Sequence, residues 1–82
     1  MQDISIPISR QRFEVKRREL LASGVNIPTT GDRGEASAQG VVVGFEFTPG
    51  GSVGELKLRL IDKPLFFPES AVESRIREWF NS

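Results

Sequence analysis

The chain has 82 residues, 38% hydrophobic and 27% charged, which fits one small domain with one core and argues against wholesale disorder. Eleven basic residues balance eleven acidic ones, so no net charge draws the chain to nucleic acid or to an anionic membrane. Cysteine and histidine are absent, which excludes disulfides, thiolate nucleophiles, imidazole bases and zinc sites built from either residue.

The expected location follows from the same features. No apolar run is long enough to predict a transmembrane helix. The first residues lack the basic and apolar regions of a signal peptide. A cytoplasmic protein is the simplest interpretation.

The first predicted element is a strand. Ile4, Ile6 and Ile8 alternate with polar residues and Pro7, which indicates a strand with one buried face. Because Pro7 cannot donate a ladder hydrogen bond, we expect this strand at an edge of the sheet.

A helix is predicted between Ser9, a suitable N-cap, and Gly24, a suitable C′ residue. Its apolar stripe is thin, so the helix is expected to lie across a sheet, and Arg17 falls within the stripe. The Arg17 stem can pack there while its head reaches a carboxylate, which favours a structural ion pair over a ligand site.

The segment 25–40 is rich in Gly, Thr, Ser and charged residues. As a structureless loop it would be unusually long for a compact domain. We predict a flexible loop over this range, with a mobile front half and an ordered back half. Glu35–Ala38 is the candidate for a short extra strand.

Two alternating runs, Val41–Phe47 and Leu56–Leu60, predict a β-hairpin joined by Thr48–Gly54. This connection contains three glycines, but it joins two strands and has no lysine. We therefore interpret it as a hairpin turn rather than a phosphate-binding loop.

The last predicted element is a helix that follows Pro68, a residue suited to the first helical position. Val72, Ile76, Trp79 and Phe80 have the spacing of one helical face. Trp79 and Phe80 could anchor a membrane interface or a partner's groove, but a position in the core is the better interpretation.

Together these elements predict an α+β fold, a small two-layer single domain over residues 1–82 with the order β-α-β-β-α. We expect a mostly antiparallel sheet of three to four strands with both helices on one face. The Leu56–Leu60 strand is expected to be central and the Ile4–Ile8 strand to be at an edge.

A motif covers the last third of the chain: the alternating strand Leu56–Leu60, Asp62-Lys63-Pro64, Phe66-Phe67, and the run from Val72 to Trp79. In this it resembles small uncharacterised bacterial proteins, in which a strand runs into an Asp-Lys-Pro-aromatic turn and a short Val/Ile/Trp helix. The motif implies a fold rather than a chemistry, so the resemblance implies no activity.

Two groups of charged residues are candidates for a binding surface. The first is a basic cluster on the first helix, which could lie on a phosphate backbone or form a solvated surface: Arg10, Arg12, Lys16 and Arg18. The second is Asp32 and Glu35 with Arg33 between them, which could hold a hard cation or do acid–base work. Ordinary loop solvation is the better interpretation of the second group.

No pair of nucleophile and base is visible, so we predict no enzyme, no catalytic or metal-ligating residues and no cofactor. The leading hypothesis is a small non-enzymatic module that binds another protein. The alternative is a nucleic-acid-binding domain that uses the basic first helix. We expect no membrane association, and a monomer or a weak dimer.

Overall fold

The computed structural model of the chain describes residues 3–81. Its elements in chain order are β1 (Ile4–Ile8), α1 (Arg10–Ala22), β2 (Arg33–Ala38), β3 (Val41–Thr48), β4 (Gly54–Asp62) and α2 (Glu69–Asn81). The α+β class is confirmed. The predicted order β-α-β-β-α is corrected to β-α-β-β-β-α, because the candidate extra strand is a full strand that begins at Arg33.

The four strands form one antiparallel sheet in the order β1-β4-β3-β2. The predictions that β1 lies at an edge and β4 inside the sheet are therefore confirmed. Alternate residues of β1, β3 and β4 point into one core that they share with both helices. The core residues from these strands are Ile4, Ile6, Ile8, Val43, Phe45, Phe47, Leu56 and Leu58.

The other face of the sheet is polar, and its charged side chains pair with one another. Arg33 lies 3.3 Å from Glu46 on the neighbouring strand. Arg59 lies 3.5 Å from Asp3, next to β1. These exposed pairs contribute little to stability.

Both ends of α1 follow the local signals. The Ser9 hydroxyl accepts a hydrogen bond from the backbone N–H of Arg12 at 3.2 Å. At the other end, Gly24 has a φ of 95°, the left-handed conformation that favours glycine. The N–H of Val25 donates to the carbonyl of Leu20 at 3.0 Å, which completes a Schellman motif.

The segment between α1 and β3 is held at several points. Asn26 and Ser37 exchange two backbone hydrogen bonds of 2.8 Å, so the front half of the segment lies against the outer edge of β2. The carbonyl of Asp32 accepts from the N–H of Phe47 at 2.6 Å. The ordered back half is thus a strand, and the mobility of the front half stays a prediction.

The predicted core face of α2 is present. Val72, Ile76 and Phe80 are buried, and Trp79 is partly buried against the same core. Pro68 lies one residue before the helical position predicted for it. It precedes the first helical residue, and its carbonyl accepts hydrogen bonds from the N–H groups of Ala71 and Val72. It therefore occupies the cap position rather than the first helical position.

Candidate functional site

The structure brings together two of the charged residues singled out in the sequence, Arg10 and Asp32. Their side chains form a two-pronged ion pair, with Nη1 2.7 Å from Oδ1 and Nη2 3.0 Å from Oδ2. Hydrogen bonds from Arg10 lower the pKa of the Asp32 carboxyl below its usual value. Asp32 is therefore an ionised structural partner, which makes it a poor general base.

Arg10 also belongs to a column of four side chains. Its guanidinium lies 4.7 Å from the centre of the Phe47 ring. Phe47 stacks on Phe13 with ring centres 5.0 Å apart and planes inclined by 5°. On the other side of Phe13 the guanidinium of Arg17 lies 4.6 Å from the ring centre. This Arg–Phe–Phe–Arg column ties Arg10 and Arg17 to the core.

Arg17 is the buried end of that column, with only 3% of its side chain exposed. Its Nη2 atom lies 2.7 Å from the carbonyl oxygen of Gly31 and 3.1 Å from a carboxylate oxygen of Glu14. Nη1 reaches the carbonyl of Pro28 at 3.4 Å, while Nε has no hydrogen-bond partner. The ion pair with Glu14 lies within α1, and the hydrogen bonds to the two carbonyls hold the segment after α1.

The other members of the basic cluster do not form one surface with Arg10. Lys16 differs from the expectation of a solvated helix surface, because it is buried and lies 3.3 Å from Glu19. Arg12 and Arg18 are exposed on α1. The cluster is therefore divided between the column, an ion pair within the helix and the exposed surface of α1.

The acidic group is divided in the same way. Asp32 is bound to Arg10, and Arg33 pairs with Glu46 on β3. Glu35 is exposed on β2. Within residues 3–81 no three acidic side chains come close enough together to hold a metal ion.

The most exposed apolar residues lie in the connection between β4 and α2. Leu65 is 98% exposed and Phe66 is 88% exposed. They are the two central residues of a turn closed by a 3.0 Å hydrogen bond from the N–H of Phe67 to the carbonyl of Pro64. We call Pro64–Phe67 the apolar turn.

Both ends of the apolar turn are fixed to the body of the domain. Phe67 packs against the core. Pro64 lies against the β2–β3 turn so closely that a side chain added at Gly40 would come within 3.3 Å of its Cγ. The two central side chains are therefore presented by a braced turn rather than by a loose loop.

Sequence reasoning expected Leu65–Phe67 to be extended or in a turn and attached no function to it. A signal was available, since three apolar residues stand between Pro64 and Pro68. Prolines at both ends exclude a continuous helix or strand, and a turn this short cannot direct three successive side chains into one core. At least one of the three was bound to be exposed.

Comparisons with protein-family models, curated proteins and solved structures found no match to the chain. Among the described helices of residues 3–81, none is long and apolar enough to cross a membrane. The resemblance of the last third of the chain to small uncharacterised bacterial proteins stays an expectation.

Proposed function

We propose that the chain is a small non-enzymatic module that binds another protein through the apolar turn. The observation that carries this proposal is the near-complete exposure of Leu65 and Phe66. Scattered exposed apolar residues are common, but two adjacent ones at the tip of a braced turn form a compact anchor. An aromatic side chain beside an aliphatic one is the kind of group that fills a pocket on a partner.

Preorganisation favours binding at this place. The closing hydrogen bond at Phe67 and the packing of Pro64 beside Gly40 fix the backbone before a partner arrives. Little backbone entropy then has to be lost on association. Burial of each side chain contributes about 1.5–3 kcal/mol, so the pair contributes about 3–6 kcal/mol.

The basic helix supports the alternative, nucleic-acid binding, less well. Arg10 and Lys16 are already paired with carboxylates. Phosphate binding gains from cations that are free to neutralise it. A salt-dependent shift of labelled DNA or RNA, abolished by R12Q/R18Q, would favour this alternative over the apolar turn.

A site-specific crosslink tests the proposal. Phe66 is replaced by the photoreactive residue p-benzoylphenylalanine, and the protein is irradiated in an extract of the cells that produce it. We expect one discrete protein adduct that is competed away by the unmodified chain. The same substitution at Val53, an exposed apolar residue of the β3–β4 loop, is the matched control and should yield no such adduct.

The double variant L65S/F66S supplies the energetic test. It should keep the fold, because both side chains point into solvent, and it should weaken the purified complex at least about a hundredfold. The proposal fails if positions 66 and 53 give the same adducts, or if L65S/F66S competes as well as the wild type. It also fails if lipid vesicles bind the wild type and not L65S/F66S while no protein adduct forms.

A further inference from the structure

A cavity of about 290 Å³ lies between the C-terminal end of α1, the β2–β3 side of the sheet and α2. Its origin is the small size of the residues that β2 directs to the core. Ala36 and Ala38 stand opposite Val43 and Val41 on β3, whereas β3 and β4 carry phenylalanine and leucine at their other core positions. The short side chains leave open the space that larger ones fill elsewhere in the core.

The inner wall of this cavity is apolar. Its deeper residues are Leu20, Val25, Ile27, Val43, Phe45 and Ile76. An apolar cavity of about 150 Å³ stays dry and accepts benzene, so about twice that volume accommodates an apolar body of roughly a dozen heavy atoms. The volume is also near the lower end of the range of small-molecule sites, about 300 Å³.

Of the polar residues that line the cavity, three are neutral and one is a cation. They are Ser23, Ser37, Gln39 and Arg75, and no acidic residue of the described chain is among them. Arg75 is exposed and takes part in none of the ion pairs formed within residues 3–81. The cavity thus combines an apolar interior with one available cation.

We propose that this cavity binds a small amphipathic carboxylate. The apolar chain of the ligand lies against the aliphatic wall over Ala36, and its carboxylate lies at the mouth beside Arg75. A neutral ligand of the same shape would fill the interior but would leave Arg75 without a partner. This site is separate from the central side chains of the apolar turn and does not depend on their role.

The probe is decanoate, which has twelve heavy atoms, and the reporter is Trp79, the single tryptophan, which lines the cavity. Titration should change the fluorescence of Trp79 saturably below about 1 mM decanoate and should raise the midpoint of thermal unfolding. Decanol, the uncharged control, should bind about three- to fivefold more weakly, because a solvent-exposed ion pair contributes modestly.

Two variants separate the interior from the mouth. A36L fills the cavity and should weaken decanoate at least tenfold, while the control A22L, on the exposed side of α1, should not. If A36L does not fold, A36V serves the same purpose. R75Q should weaken decanoate about three- to fivefold and leave decanol unchanged, whereas R18Q, an exposed arginine outside the cavity, should change neither.

Several results would overturn the proposal. One is the absence of saturable binding by 1 mM decanoate. Another is full binding by A36L or A36V with the wild-type fold intact, which would place the ligand elsewhere. An equal loss of affinity for decanoate and decanol in R75Q would show that the carboxylate does not lie beside Arg75. If decanoate does not bind while A36L abolishes the crosslink at position 66, the space belongs to a protein partner.

Discussion

Replacing Arg17 by methionine tests whether its buried guanidinium stabilises the domain. Methionine keeps most of the length of the stem and removes the charge. The variant loses the charged hydrogen bond to the Gly31 carbonyl, worth about 1.5–3 kcal/mol. It also loses the contact with the Phe13 ring, worth about 0.5–2 kcal/mol, and an ion pair with Glu14. The Glu14 side chain is 39% exposed, so that pair contributes under about 1 kcal/mol.

The opposing effect is the cost of keeping a charge away from water. Arg17 is buried, and the desolvation of a charged guanidinium costs several kcal/mol. Methionine removes this cost and gains a sulfur–aromatic contact with Phe13, worth about 0.3–1.5 kcal/mol. Pro28 and Gly31 are exposed, so water can solvate their carbonyls in the variant. The losses and gains nearly cancel. We expect the free energy of unfolding of R17M to lie between about 1 kcal/mol below and about 2 kcal/mol above that of the wild type.

The control is R17A, which removes the packed stem as well as the charge. Large-to-small changes in a core cost about 2–5 kcal/mol, so R17A should be at least about 2 kcal/mol less stable than R17M. Urea unfolding monitored by circular dichroism measures both free energies. A loss of more than about 3 kcal/mol in R17M would refute the reasoning, because the polar contacts would then outweigh the cost of desolvation.

Three further predictions concern other contacts. R10Q should raise the pKa of Asp32 towards its ordinary value, as measured by NMR titration of the carboxyl carbon. Because the pKa of Asp32 is lowered in the folded state, the wild-type ion pair stabilises the fold above the unfolded pKa. This stabilisation is lost as pH falls through the folded pKa, and R10Q should not show this pH dependence. S9A should cost about 1 kcal/mol through loss of the helix cap. G54A should cost about 1–3 kcal/mol, since its Cβ would stand 2.6 Å from Cζ of Phe47.

Two of these variants, S9A and G54A, have a matched control. S9D keeps an oxygen at the cap, and G51A adds a methyl group where no atom lies within 4 Å. Both should be nearly neutral. Equal losses in S9A and S9D, or in G54A and G51A, would mean that the contacts named here are not the cause. An unchanged Asp32 pKa in R10Q would show that the ion pair does not form in solution.

The parts of the fold that the sequence predicted are those with a local signal. The period of two in β1, β3 and β4 is read from residues a few positions apart in the sequence. The caps of α1 are likewise recognised from single residues at its two ends. The edge position of β1 followed from a single residue, Pro7, and the core face of α2 followed from its helical spacing. These signals need no knowledge of what lies across the fold.

Strand β2 was only partly foreseen, because its own residues do not specify it. Gly34, Ala36 and Ala38 face the core, and none of them has a strong preference for strands. Their pairing with β3 determines the strand, and this pairing depends on the hairpin as a whole. The cavity could not be predicted for the same reason, since it is set by the difference in size between these residues and their neighbours.

The charged contacts were also beyond local reasoning. Arg10 and Asp32 are 22 residues apart, and only the path of the chain between α1 and β2 brings them together. Arg17 was recognised within the apolar stripe, but its acceptors on the later segment had no sequence signature. Lys16 was assigned to the surface because its neighbours on the helix are charged, whereas its burial depends on tertiary packing.

The bridge between Asn26 and Ser37 also bears on how this chain behaves at high concentration. By the alternation of an antiparallel ladder, the backbone groups of Arg33, Glu35 and Ser37 point away from β3 and form an open edge. Asn26 occupies the Ser37 end of that edge, and the side chains of Arg33 and Glu35 are exposed along the rest. On the opposite edge stands Pro7. The folded chain thus carries a separate obstacle to strand addition on each edge of the sheet, which opposes edge-to-edge association at high concentration.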